Sequence, residues 1–119
     1  MNEKVSPDPD CLFCKIVAGG IPASVVHQGD DFLAFRDVDP KAPTHVLVIP
    51  REHISSLNEM QDQTLMGQLL LAARDVARIE GVHEDGYRVV LNTNAAGGQS
   101  VFHIHAHVLG GRNMGWPPG

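Results

Sequence analysis

Three of the seven histidines in this chain of 119 residues stand at alternate positions, His103, His105 and His107. In a strand, residues two apart share a face and lie about 6.6 Å apart. The spacing therefore predicts a row of imidazoles on one side, with Ile104, Ala106 and Val108 on the other. Such a row can bind a metal, relay protons or supply a nucleophile, because imidazole changes charge near neutral pH. The alternative is a solvated polar face, but such faces normally mix Thr, Lys and Glu. Directly before the row stands Gly97-Gly98-Gln99-Ser100. Its glycines permit a sharp turn whose N–H groups can form a nest for an anion, with Gln99 and Ser100 as side-chain donors. A Gly-Gly pair by itself marks only a turn; its neighbours give it weight.

The only two cysteines, Cys11 and Cys14, form a C-x-x-C pair. Zinc takes four N or S ligands. The pair supplies two, and His53 and His103 can complete a Cys2His2 site. The alternative is two small residues buried on an amphipathic helix. A thioredoxin-like redox pair lacks its expected preceding strand. Asp37, after Phe35-Arg36, stands at a strand end, where a carboxylate can accept both hydroxyls of a ribose or cap the turn before Pro40. The residues alone leave these two open. His27 and His83 fall in turn-like settings and read as surface residues.

The elements that must position these groups follow from periodicity. Residues 1–10 carry two prolines and several acids, which predicts a flexible leader before a single domain over 11–119. Residues 11–18 have helical spacing, with Asp10 as N-cap and Gly19-Gly20 as stop. Val25–Gln28 and Phe32–Arg36 flank Gly29-Asp30-Asp31, a hairpin signal. Asp37–Pro43 is a loop, and His45–Pro50 a buried strand. Residues 62–80 read as a helix with Leu65, Leu69, Ala73, Val76 and Met66, Leu70, Ala77 as its apolar stripe and Gly81 beyond its end. Tyr87–Asn94 and Val101–Leu109 read as strands around the turn Ala95–Ser100, and 112–119 as an irregular tail. Five strands joined by short connections and two helices predict an α+β fold with an antiparallel sheet.

Composition narrows the function. Hydrophobic residues make up 43% and charged residues 19%, which is globular composition. A net charge of −5 disfavours a nucleic-acid polymer as partner but not a single nucleotide. No apolar run reaches the roughly 20 residues of a membrane span. The polar start lacks the apolar stretch of a secretory signal, so the expectation is a cytoplasmic protein with reduced thiols.

Taken together, these stretches closely resemble the histidine triad (HIT) family of nucleotide hydrolases and transferases. Its hallmark is His-φ-His-φ-His-φ-φ with φ apolar, and His103-Ile104-His105-Ala106-His107-Val108-Leu109 fits it throughout. The likeness extends through Asp10-Cys11-Leu12-Phe13-Cys14-Lys15-Ile16, Ile21-Pro22-Ala23, Leu33-Ala34-Phe35 and Ala42-Pro43-Thr44-His45. It continues through Val48-Ile49-Pro50-Arg51-Glu52-His53-Ile54 and Gly98-Gln99-Ser100-Val101. The ending Gly110-Gly111-Arg112 with Trp116-Pro117-Pro118-Gly119 looks like the Hint branch, the purine nucleoside phosphoramidases.

The resemblance implies a homodimer whose two five-stranded sheets join into one of ten strands. It implies a substrate AMP–X or GMP–X with X an amine. His105 would attack the α-phosphorus and form a nucleotidyl-imidazole, which water then hydrolyses. His107 and the N–H groups around Gly98, Gln99, Ser100 and Val101 would hold phosphate oxygens, and Ser100 would hydrogen-bond the leaving group. His45 would help set the protonation of the triad. Asp37 would bind the ribose; Phe13, Ile16, Ile21 and Phe35 would line the base pocket; Asn92 would fix the nucleotide. Trp116 would reach the partner's site. Cys11, Cys14, His53 and His103 would hold a structural zinc. The competing readings are a dinucleoside polyphosphate hydrolase of the same family and a non-catalytic, zinc-stabilised nucleotide- or protein-binding module.

Overall fold

Pro50 decides where the central ladder of this protein ends. The computed structural model describes residues 8–119. Residues 1–7 of the expected leader lie outside them, while Asp8 to Asp10 form a turn in which Cys11 N–H donates to the Asp8 carbonyl at 3.0 Å. The strands are β1 (Val25–Gln28), β2 (Phe32–Arg36), β3 (Thr44–Pro50), β4 (Tyr87–Val90) and β5 (Ala106–Gly110), and the helices α1 (Leu12–Val17) and α2 (Gln63–Ile79). The strands form one sheet in the order β1-β2-β3-β5-β4, antiparallel throughout. The expected α+β fold is the observed one.

All seven residues of β3 are buried because both faces of the sheet are covered. On one face, Leu69, Ala73, Val76 and Ala77 of α2 pack on Ala34, Val46, Val48, Ala106 and Val108. Alanines on both sides let the helix approach closely. On the other face, Cys11, Phe13 and Cys14 pack on Leu33, Phe35, Leu47 and Ile49. The period-2 alternation of β2 and β3 thus sorts their residues into two cores. α2 is capped by Asp62, whose carboxylate accepts from Leu65 N–H at 3.0 Å, and is followed by Gly81 at φ +75°. Leu70 is 47% exposed and so leaves the expected apolar stripe, whose place Ala72 takes at 3%.

Three further expectations change. The N-cap of α1 is Cys11, not Asp10: its Sγ accepts from Cys14 N–H at 3.4 Å. β5 begins at Ala106, not Val101. The register pairs Val48 with Ala106, so the next partners in phase would include Pro50 and Ile104. Pro50 has no N–H to donate, and Ile104 N–H turns instead to the Ile54 carbonyl at 2.7 Å. β4 ends at Val90 rather than Asn94; in its register residues 92–94 would face 103–105, which lie before β5. Among the described residues no helix is long and apolar enough to cross a membrane.

Leu69 is 1% exposed at the centre of the α2 core. Leu69→Ala is expected to destabilise the fold by about 2–5 kcal/mol, read as a lower urea midpoint with an unchanged slope.

Candidate active site

His107 lies in β5, whereas His103 and His105 lie on the unpaired segment before it. The three expected on one strand face are therefore only partly on a strand, yet their rings still gather on one side of the sheet. The His105 and His107 rings are 4.9 Å apart. Phe13 meets His105 edge to face at 5.1 Å and His103 at 5.9 Å.

Each ring has a neighbour that decides which nitrogen carries the proton, since a carbonyl only accepts and an amide N–H only donates. His105 Nδ1 is 2.8 Å from the His103 carbonyl, so Nδ1 holds the hydrogen and Nε2 keeps its lone pair. His103 Nε2 is 2.8 Å from the Pro50 carbonyl, so its Nδ1 keeps the lone pair, toward the cysteines. His45 Nδ1 accepts from Lys41 N–H at 3.0 Å, leaving the hydrogen on Nε2. That Nε2 is 2.9 Å from His107 Nδ1 and 3.4 Å from Asp37 Oδ2. His107 thus accepts at Nδ1 and bears its hydrogen on Nε2. Burial lowers the pKa of His105 and His45. Burial first, then His105 and His45 beside it, brings His107 down to about 4. At pH 7 these rings are neutral.

A cleft of about 750 Å³ opens over His105 and His107. Of the expected nucleotide contacts it gathers Phe13, Ile16, Ile21, Phe35, Asp37, Ser100 and Val101. One Asp37 oxygen accepts from Asp39 N–H at 2.8 Å as a turn cap, and the residue lines the cleft. Gln99 corrects its expected part as a side-chain donor to an anion. It is 5% exposed; its amide nitrogen donates to the Ser55 and Val101 carbonyls at 2.7 and 3.1 Å, and its oxygen accepts from Asn94 N–H at 2.8 Å. It builds the turn. Gly98 stands at φ +92° beside the Asn92 amide, a conformation that requires glycine. Trp116 is 84% exposed on a tail held by Arg88, which donates to the Gly115 carbonyl at 2.7 Å. Neither Asn92 nor Trp116 lines this cleft. Val38, fully exposed at its edge, was not singled out from sequence, where a lone valine in a proline-rich loop carries no periodic signal. His83 is exposed as expected; His27 is half-buried, its ring 5.1 Å from that of Phe32.

Cys11, Cys14, His53 and His103 bring one ligand atom each within 4.8 Å of one another. His103 Nδ1 is 3.4 Å from Cys11 Sγ and 3.5 Å from Cys14 Sγ, and His53 Nδ1 is 3.2 Å from Cys14 Sγ. A tetrahedral zinc would space its ligand atoms by roughly 3.3–3.8 Å. With the His103 lone pair turned to the thiols, the donor set fits a metal ion. Burial raises the Cys14 thiol pKa, so an ion bound there would displace a proton. Asp37, His45 and His107 form a second close group. The hydrogen on His45 Nε2, set by Lys41, makes it a hydrogen-bond chain.

The HIT domain matches residues 18–114 of this sequence. The chain belongs to the HIT family. Its fold matches a HIT family hydrolase from Legionella pneumophila with a TM-score of 0.90 and 53% identity, covering 92% of this chain and all of the other. A 14 kDa zinc-binding protein of Zea mays is 47% identical over 94% of this chain and 90% of its own length. The purine nucleoside phosphoramidase of Escherichia coli is 44% identical over 89% of this chain and 91% of its own length. The matched span holds His103, His105 and His107.

The lowered His107 value sets a pH dependence. As pH falls below the ordinary 6.5, the unfolded chain takes up the proton before the folded one, whose value is about 4. The contribution is fully present above pH 6.5 and lost between 6.5 and about 4. The urea midpoint is expected to fall across that window, and more shallowly in His107→Gln.

Proposed function

We propose that this HIT protein hydrolyses the P–N bond of a purine nucleoside 5′-phosphoramidate, AMP–X or GMP–X, through a covalent intermediate on His105. The observation that carries this reading is the His105 tautomer. Its Nδ1–H is held by the His103 carbonyl at 2.8 Å, so a neutral Nε2 lone pair lies on the cleft side at pH 7. A neutral imidazole is a competent nucleophile and, once phosphorylated, a good leaving group. The resemblance to the Escherichia coli phosphoramidase supports the substrate class.

In the first step Nε2 bonds to the α-phosphorus and the P–N electron pair departs on the amine, which takes up one proton. Ser100 at the cleft edge hydrogen-bonds that nitrogen. The positive charge left on the His105 ring is shared through Nδ1–H with the His103 carbonyl. His107 Nε2–H and the N–H groups of Ser100 and Val101 receive the phosphate oxygens, a preset electrostatic term; those of Gly98 and Gln99 already donate to the Ala95 and Asn94 carbonyls at 3.0 Å. In the second step water attacks phosphorus, the P–Nε2 bond breaks and the nucleoside monophosphate leaves with loss of a proton. The apolar walls of Phe13, Ile16, Ile21 and Phe35 take the base, and Asp37 takes the ribose hydroxyls.

Zinc on Cys11, Cys14, His53 and His103 supplies a structural tie between α1 and the 101–105 segment. The zinc-binding relative of Zea mays supports the choice of ion. Two copies joined by their sheets form the homodimer of this reading. Val89, 37% exposed, is an outward apolar side chain on edge strand β4, and in this reading Trp116 extends toward the other copy. The cytoplasm, with reduced thiols, is the compartment this reading expects.

The test is hydrolysis of an adenosine phosphoramidate bearing a fluorescent amine. His105→Asn is expected to lower kcat by at least roughly 10³-fold while still binding AMP. Full activity in that variant would remove His105 as nucleophile, and preference for a dinucleoside polyphosphate would move the reading to that substrate. Metal analysis is expected to find about one zinc per chain. Cys14→Ser is expected to lose the zinc and lower the Tm by roughly 10 °C; an unchanged metal content would remove Cys14 from the site.

A further inference from the structure

Arg112 stands outside the cleft, seventy-one positions along the chain from Lys41, yet its guanidinium grips that residue's carbonyl twice. Nε donates at 3.2 Å and Nη2 at 3.1 Å to the same oxygen, while Nη1 donates to the Asn113 carbonyl at 3.1 Å. The neighbouring Gly111 makes the approach possible. It stands at φ +88°, and a Cβ there would lie 2.8 Å from Pro43 Cβ, so this turn presses on the same loop that carries Lys41.

Lys41 is also bound on its other side, where its N–H donates to His45 Nδ1 at 3.0 Å. The carbonyl and the N–H flank one Cα, so restraining the first limits rotation about that residue and holds the second on line. Its side chain is tied separately, Nζ meeting Asp39 Oδ2 at 2.6 Å and the Asp39 carbonyl at 3.0 Å.

We propose that Arg112 is a positioning residue for the reaction, holding the Lys41 amide on His45 and thereby setting the proton on Nε2 of both His45 and His107. This rests on the phosphoramidase reading above for its catalytic consequence. With Nδ1 of His45 occupied by a donor, Nε2–H points to His107 Nδ1 and Asp37 Oδ2, both acceptors. The opposite tautomer would set a lone pair against the Asp37 carboxylate. It would also require His107 to hold its hydrogen on Nδ1, leaving a second lone pair facing the cleft. His107 would then oppose phosphate oxygens instead of donating to them. An exposed arginine thus works with the Asp37 carboxylate to keep a cleft imidazole a donor.

The test compares wild type, Arg112→Ala and Arg112→Lys by long-range 1H–15N correlation of labelled histidines, with kcat and KM for the fluorescent phosphoramidate. In wild type, His45 and His107 are expected as Nε2–H tautomers. Arg112→Ala is expected to mix the tautomers at both rings and lower kcat about fivefold with little change in urea midpoint. Arg112→Lys, which keeps one donor, is expected to restore both signals, and it also serves if the alanine variant fails to fold. Unchanged tautomers in both variants would overturn the proposal, as would mixed tautomers with unchanged kcat. Absence of turnover in wild type would instead remove the phosphoramidase reading, and the tautomer comparison would still decide the role of Arg112.

Discussion

A proline with no N–H to give releases the segment that carries His103 and His105 from its sheet. Beyond Pro50 the ladder between β3 and β5 stops, and residues 101–105 run free of it. The Pro50 carbonyl remains and receives His103 Nε2–H. That bond turns the other nitrogen of His103 to the cysteines, and the His103 carbonyl in turn receives Nδ1–H of His105. A regular strand would have engaged that backbone in pairing and left both rings to find other partners. The Cys–His cluster and the His105 ring therefore meet at one residue, His103, whose ring faces the thiols and whose carbonyl holds His105 Nδ1–H.

The same economy runs through the remaining imidazoles. In the cleft and beside the thiols, backbone groups orient three rings, and the Asp37 carboxylate adds to the setting of His45. Each is set by a neighbour of fixed polarity, a carbonyl for His103 and His105 and an amide N–H for His45, and His107 inherits its tautomer from His45. Burial keeps the rings neutral, which strengthens this control, because a protonated ring would donate from both nitrogens and erase the distinction. The cost is borne at low pH, where neutral buried histidines oppose the folded state.

α1 joins the two regions through packing. It is only six residues long and would not persist alone. Its cysteines face the His53–His103 cluster, and Phe13 between them stacks edge to face on both His103 and His105 as well as on Phe35 at 5.5 Å. A metal on the cysteines would thus hold the apolar wall of the cleft as well as the helix.

Much of the fold is legible in the sequence. The period-2 and period-3.6 patterns located every strand and both helices, and the hairpin at β1 and β2 was read with its observed ends. The types and spacing of His103, His105, His107, Cys11 and Cys14 mark residues that the fold brings together, the thiols with His103 and the His105 ring with that of His107. What the pattern missed depends on partners distant in sequence. The early end of β5 follows from Pro50 lying opposite it, which alternation of apolar residues cannot express. By type Gln99 can donate to an anion, but the Ser55 carbonyl and Asn94 N–H engage its amide. Arg112 and Lys41 carried no motif at all. The residue types set which atoms can donate, accept or attack; the tertiary structure alone decided which of them are already engaged, since a hydrogen bond is satisfied by whatever group the fold brings within about 3 Å.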